Sequence, residues 1–147
     1  MCVLHLHESA AIAVSTHPEG LLPISQHALR FVDDIAYHDY EGLAFTPLEG
    51  EVLTRALGRN AAMLLRNHGL VVVGRTIAEA YVLGATLIKA CAIQIAALAG
   101  GVSPHRPTDA VIALAATQLK DGGAVEGVME WPALLRRLDR IEPDYAR

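Results

Sequence analysis

The chain has 147 residues, 52% of them hydrophobic and 19% charged, which is length and apolar content enough for one globular domain with its own core. Its net charge of −4, with Arg136-Arg137 as the one adjacent basic pair, offers no cationic stripe and argues against nucleic acid as a partner. Two cysteines are too few for a disulfide framework, and no charged start, apolar core and small-residue cleavage site marks a secretion signal, so a cytoplasmic location is expected.

Val3-Leu4-His5-Leu6-His7 reads as an opening strand, in which Cys2, Leu4 and Leu6 face a core and His5 and His7 project together on the other side. Ser9 is positioned to cap a helix over Ala10 to Ser15, and the His17-Pro18-Glu19-Gly20 turn stops it. Short strands are predicted near Leu22 to Ile24, Ile35 to Tyr37 and Leu43 to Phe45. Thr46-Pro47-Leu48-Glu49 has the form of a capping box with proline at the first helical position, and Gly58 falls where that helix ends. Two apolar runs, Ala61 to Leu65 and Leu70 to Val73, flank a turn in which Gly69 permits a sharp reversal and Asn67 tolerates unusual dihedrals.

Thr76-Ile77-Ala78-Glu79 is a second capping box, and it opens a long helix that Gly100-Gly101 terminates. The segment from Ile77 to Leu98 is apolar apart from Glu79, Lys89 and Gln94. A charge near the middle of a bilayer span costs at least ~2.5 kcal/mol, so a buried helix is expected and no membrane partner. With apolar residues nearly all round, this helix has more hydrophobic surface than one sheet face covers, and contact with a neighbouring subunit is expected as well. Beyond Gly101, Pro104, Pro107 and Gly122-Gly123 set off a helix from Thr108 to Lys120 and a short one from Ala133 to Asp139. Residues 1–101 therefore read as the main domain and 102–147 as a helical tail packing on it, with Trp131 before Pro132 as the anchor.

Strands and helices mix along the chain, which points to an α/β protein with helices on the faces of a sheet. The chemistry concentrates in the histidines. His5 and His7 are aimed as a chelating pair, and His68 at the strand-end turn is the natural third ligand. Three neutral nitrogens leave a zinc-like dication with its charge and an open position, as in catalytic zinc sites. Such an ion, bound by two adjacent substrate oxygens, stabilises an enediolate, the intermediate common to carbon–carbon cleavage beside a carbonyl, epimerisation and decarboxylation. Among other polar residues, Tyr37 in the Tyr37-His38-Asp39-Tyr40-Glu41 turn is the preferred catalytic candidate. Glu8 and His27 are candidates for proton transfer, although a strand would turn Glu8 away from the His5/His7 face. His17 and His105 read as ordinary exposed histidines.

The order His5-Leu6-His7, then Gly20-Leu21-Leu22-Pro23-Ile24-Ser25-Gln26-His27-Ala28-Leu29-Arg30-Phe31, Ala36-Tyr37-His38-Asp39-Tyr40-Glu41-Gly42, Leu65-Arg66-Asn67-His68-Gly69-Leu70 and Val73-Gly74-Arg75-Thr76-Ile77-Ala78-Glu79-Ala80 resembles the class II aldolase/adducin family over roughly residues 1–100. The resemblance implies a three-layer α/β/α sandwich around a mixed sheet, with His5, His7 and His68 as ligands of a divalent metal, usually zinc. It also implies a metal-dependent aldolase-type lyase acting on a small hydroxy-carbonyl or sugar-derived substrate, and a homo-oligomer, often a tetramer. The family's acidic catalytic residue and anion-binding turns belong to a segment ahead of the His-x-His strand, so they map onto no residue here. Adducin's head domain resembles the same fold, which makes a non-catalytic oligomeric or cytoskeletal interaction module the alternative.

Overall fold

The computed structural model describes residues 1–42, 47–121 and 126–146. Its order is β1 (Cys2–Leu6), α1 (Ser9–Ser15), α2 (Gln26–Leu29), β2 (Ile35–His38), α3 (Pro47–Leu57), β3 (Ala62–Leu65), β4 (Gly69–Gly74), α4 (Ile77–Leu98), α5 (Asp109–Asp121), α6 (Glu130–Ile141) and a terminal 3-10 turn, Pro143–Ala146. The sheet runs β1-β4-β3-β2. β4 is antiparallel to both β1 and β3, and β2 is parallel to β3, so the sheet is mixed. All four residues of β3 are buried, the continuous apolar run expected of a strand covered on both faces.

One face of the sheet carries Leu4, Leu6, Leu70, Val72, Ala62 and Leu64, and α1 and α4 pack on it. On α4 the buried stripe Ala80, Leu83, Gly84, Leu87, Ala90, Cys91 and Gln94 recurs at helical spacing. Leu83 and Leu87 are essentially inaccessible, each worth roughly 1.5–3 kcal/mol of burial. The helix lies close to the strands at Gly84, where a Cβ would stand 2.9 Å from Leu4. This helix has the length and composition to cross a membrane, but here it is the core helix. α3 packs against β2 on the opposite face, completing three layers, while α5 packs on α2 and α6 on α4.

Helix ends show where local chemistry decides. Glu8, not Ser9, caps α1: its carboxylate accepts from the Ala10 N–H at 2.7 Å, and Ser9 is the first helical residue. A carboxylate at a helix N-terminus also meets the positive end of the helix dipole. At α4 the Thr76 hydroxyl accepts from the Glu79 N–H at 3.1 Å as a capping box requires, but Glu79 reaches back to the Arg75 N–H and guanidinium rather than to Thr76. Those contacts hold the Glu79 carboxyl below the usual carboxylate range, the Arg75 side chain being the main cause. Gly58 and Gly101 close α3 and α4 with φ of +58° and +67°.

Other expectations about elements change or fall outside the described residues. Leu22 to Ile24 is not a strand: the Leu22 N–H is taken by the Gln94 side chain, Pro23 has no N–H, and Ile24 turns back onto the Leu22 carbonyl. The last helix begins at Glu130, earlier than Ala133, because Pro132 lies in its first turn, where a missing N–H breaks no hydrogen bond. The strand at Leu43 to Phe45 and the cap at Thr46 lie outside the described residues, although Pro47 does open α3. In the tail, the Trp131 ring meets Tyr81 of α4 edge-on at 5.7 Å.

Candidate metal centre

Strand alternation places His5 and His7 on the sheet face opposite Leu4 and Leu6, which are packed into the core. His5 pairs with Val71 and Leu6 with Leu70, so His7 emerges just past the strand end, beside the turn that carries His68. That turn is tightly determined. Asn67 adopts φ +60°, and the His68 N–H closes it on the Leu65 carbonyl at 3.0 Å. At Gly69 a Cβ would stand 2.4 Å from the Leu6 carbonyl oxygen and 3.3 Å from the His7 ring, so only glycine lets β4 start that close to β1.

The turn is also fastened to α1. The buried Ser15 hydroxyl accepts from the Asn67 N–H at 3.0 Å and donates to the Ile12 carbonyl. Arg66 donates to the carbonyls of Ser15, His17 and Pro18, where the unsatisfied C-terminal groups of α1 attract a cation. Its guanidinium lies 4.7 Å over the Tyr37 ring. Neither Ser15 nor Arg66 carries a sequence signal for this role, because the contacts span about fifty residues of separation.

The three imidazoles converge through their Nε2 atoms. His7 Nε2 lies 2.9 Å from both His5 Nε2 and His68 Nε2, and the three ligand atoms fall within 4.8 Å of one another. His5 Nδ1 is 2.9 Å from the Leu70 carbonyl, which can only accept, so Nδ1 carries the proton and the Nε2 lone pair faces the other histidines. His68 is held below the usual histidine range, first by partial burial and then by the charge of His5 and His7. Neutral imidazoles are the form a metal needs. On a tetrahedral ion with metal–nitrogen bonds of about 2.0–2.1 Å, ligand nitrogens stand about 3.3 Å apart, so small side-chain rotations seat an ion among these three. His5 and His7 are exposed, which leaves the fourth direction open.

A cleft of about 150 Å³ opens beside His68, lined by His38, Tyr40, Glu49, Leu65 and Arg66 among others. The Tyr40 ring stands edge-on to His68 at 6.2 Å, which makes it the aromatic neighbour of the cluster that the sequence alone did not single out. Glu8, His27 and Tyr37 are placed elsewhere. Glu8 is committed to the α1 cap. The Tyr37 hydroxyl accepts from the Leu21 N–H at 2.9 Å, its ring fills the space a side chain at Gly20 would need, and burial pushes its pKa up. His27 lies on α2 beside Tyr81 and Lys89 of α4, on the side of the sheet that α1 and α4 cover.

Residues 1–95 match the family model described as Class II Aldolase and Adducin N-terminal domain. A protein from Caulobacter vibrioides, called a putative aldolase class 2 protein, is 42% identical over 98% of this chain and 56% of its own length. Mouse alpha-adducin is 42% identical over 70% of this chain and 14% of its own length. Among solved structures, an aldolase II superfamily protein from Pseudomonas syringae is 42% identical with a TM-score of 0.91, covering 99% of this chain and 59% of that one. The chain thus spans little more than half the length of the bacterial relatives it matches. Matched in sequence over most of its length and in fold around the histidine cluster, the chain belongs to the class II aldolase and adducin family.

Proposed function

We propose that this chain carries the metal-binding part of an aldolase-type lyase, with His5, His7 and His68 holding a divalent cation, zinc in the first instance. The observation that carries the reading is the convergence of three imidazoles, one ligand nitrogen from each within 4.8 Å of the others, on an exposed face. A bound dication supplies Lewis-acid charge for cleavage of a carbon–carbon bond beside a carbonyl. The chain's own residues do the positioning. Leu70 fixes the His5 tautomer through its carbonyl, Gly69 brings His68 against His7, and Arg66 with Ser15 locks the turn. The cleft with Tyr40 and Arg66 on its wall gives a small hydroxy-carbonyl or sugar-derived substrate a place next to the cluster. The two free cysteines suit a reducing, cytoplasmic setting, and the family supports assembly as a homo-oligomer such as a tetramer.

A second reading follows from the identity with alpha-adducin: a non-catalytic interaction module that keeps the fold. Elemental analysis of the purified chain, followed by an aldol-cleavage assay on a panel of hydroxy-carbonyl compounds, separates the two. About one zinc or similar ion per chain, lost in His5→Ala, His7→Ala and His68→Ala together with any cleavage, supports the lyase. A folded protein without metal, or one whose histidine variants keep it, sinks the site assignment and favours the module.

A further inference from the structure

Tyr37 stands apart from the histidines, yet its ring reaches the turn that carries one of them. β2 runs parallel to β3 with Tyr37 beside Leu64, and the ladder continues one step past β3, where the Arg66 N–H donates to the His38 carbonyl at 2.8 Å. Arg66 therefore follows Leu64 on the face of the sheet that carries Tyr37. Its guanidinium carbon lies over the Tyr37 ring, 4.7 Å from the centroid and well within cation–π range.

The same side chain holds a loop. Residues 17–22 are fixed at one end by Arg66, which donates to the His17 and Pro18 carbonyls. At the other end the Leu21 N–H donates to the Tyr37 hydroxyl at 2.9 Å. There the buried Gln94 side chain also accepts from the Leu22 N–H at 2.7 Å and donates to the Gly20 carbonyl at 2.9 Å. Tyr37 thus meets one end of the loop directly and the other through Arg66. His68 follows Arg66 by two residues, and the Asn67 N–H between them is tied to Ser15, whose carbonyl Arg66 also takes. A long arginine side chain is costly to order, and the aromatic ring is the contact that keeps this guanidinium aimed at the end of α1.

We propose that Tyr37 is a positioning residue of the metal centre, its ring seating Arg66 so that the turn presents His68 to His5 and His7. The proposal rests on the reading of the three histidines as a metal site and asks no proton transfer of the phenol. Tyr37→Phe and Tyr37→Leu are compared with the wild-type chain by competitive zinc titration and, without metal, by amide hydrogen exchange. Phenylalanine keeps the π face, so Tyr37→Phe should hold zinc within about twofold of wild type and speed exchange chiefly at Leu21. Tyr37→Leu should weaken zinc binding about tenfold and speed exchange at Asn67 and His68 roughly three- to tenfold more than along the buried strand β3. Combined with Arg66→Met, it should cost little zinc affinity beyond Arg66→Met alone, because the contact it removes is already gone. Circular dichroism checks folding, and Tyr37→Met, which fills more of the space, serves if the leucine variant does not fold. Wild-type zinc affinity in a folded variant without the ring, a loss in Tyr37→Phe as large as in Tyr37→Leu, or losses that simply add in the double variant would overturn the positioning role while leaving the metal site standing. A wild-type chain that takes up no zinc sinks the metal site itself, and the role of Tyr37 there with it.

Discussion

Gly69→Ala tests the geometry that brings the histidines together. The added Cβ would stand 2.4 Å from the Leu6 carbonyl oxygen and 3.3 Å from the His7 ring. Carbon and oxygen approach to about 3.3 Å even in a favourable weak contact, so β1 and β4 must separate by roughly 1 Å at their ends. Overpacking of this kind costs about 1–3 kcal/mol, which for a domain of this size lowers Tm by roughly 3–10 °C. The separation falls between His7 and His68, whose nitrogens are 2.9 Å apart, so zinc affinity should drop at least about tenfold, as for a disturbed supporting shell. Gly50→Ala is the control. It lies inside α3, a Cβ there meets nothing within 4 Å, and alanine should raise stability by about 0.5–1 kcal/mol without touching metal binding. Calorimetry and a competitive zinc titration read both variants. A Gly69→Ala protein with wild-type Tm and zinc affinity would refute the close-approach argument.

Burial pushes the Cys91 thiol up to about 12, with the Glu8 carboxylate adding to the effect. Native protein at pH 8 should therefore expose one fast-reacting thiol, Cys2, to a disulfide reagent and both after denaturation; two fast thiols in the native state would contradict the packing of α4. Because the thiol's folded value lies above its unfolded one, its contribution is intact below about pH 9 and is lost on the way to pH 12. Urea titrations in that window should show stability falling by up to about 1.4 kcal/mol per pH unit, and Cys91→Ala should flatten the slope. Gln94→Leu leaves the Leu22 N–H and the Gly20 carbonyl without their partner and should cost about 2–4 kcal/mol in denaturant unfolding; a loss under 1 kcal/mol would show that water replaces the side chain. Zinc at about a hundredfold excess over its Kd should stabilise the chain by about 2.7 kcal/mol, reversed by a chelator and absent in His68→Ala.

Of the strands that hold the histidines, β1 was legible from its two-residue alternation and β4 as an apolar run opened by the Asn67-His68-Gly69 turn, and α4 because a cap, an apolar run and two glycines mark its ends. The His5/His7 pairing followed from the same alternation, and the third histidine from its place in a turn. What the sequence hid is tertiary. Leu22 to Ile24 has strand-like residues but no neighbouring strand to pair with, since a side chain seventy-two positions away, Gln94, takes its N–H. Glu8 looked like a proton-transfer group next to a ligand, and Tyr37 like an active-site phenol. Backbone N–H groups claim both, and nothing local distinguishes a capping carboxylate from a catalytic one. Tyr40 comes near the cluster only because β2 runs parallel to β3 and ends beside the turn.

The supports of the turn and the ligands themselves are different residues, and that separation decides how the two readings of this family member can be told apart. Ser15, Arg66 and Gly69 bind α1, β1 and β4 together whether or not a metal is present, so an interaction module and a lyase both need them. His5 and His7 project into solvent from the end of an edge strand, and truncating exposed side chains of this kind usually changes stability by no more than about 0.5 kcal/mol. The fold therefore has little use for three imidazoles aimed at one point. Repulsion from the neighbouring histidines acts only on a protonated His68, and with partial burial it keeps that ring in the neutral form a metal ligand needs. It follows that His5→Ala and His7→Ala should leave apo stability almost unchanged while removing metal, whereas Arg66→Met should lower stability first and metal affinity as a consequence. If the histidine variants instead destabilise the metal-free chain as much as Arg66→Met does, the cluster is part of the scaffold and the catalytic reading loses its main support.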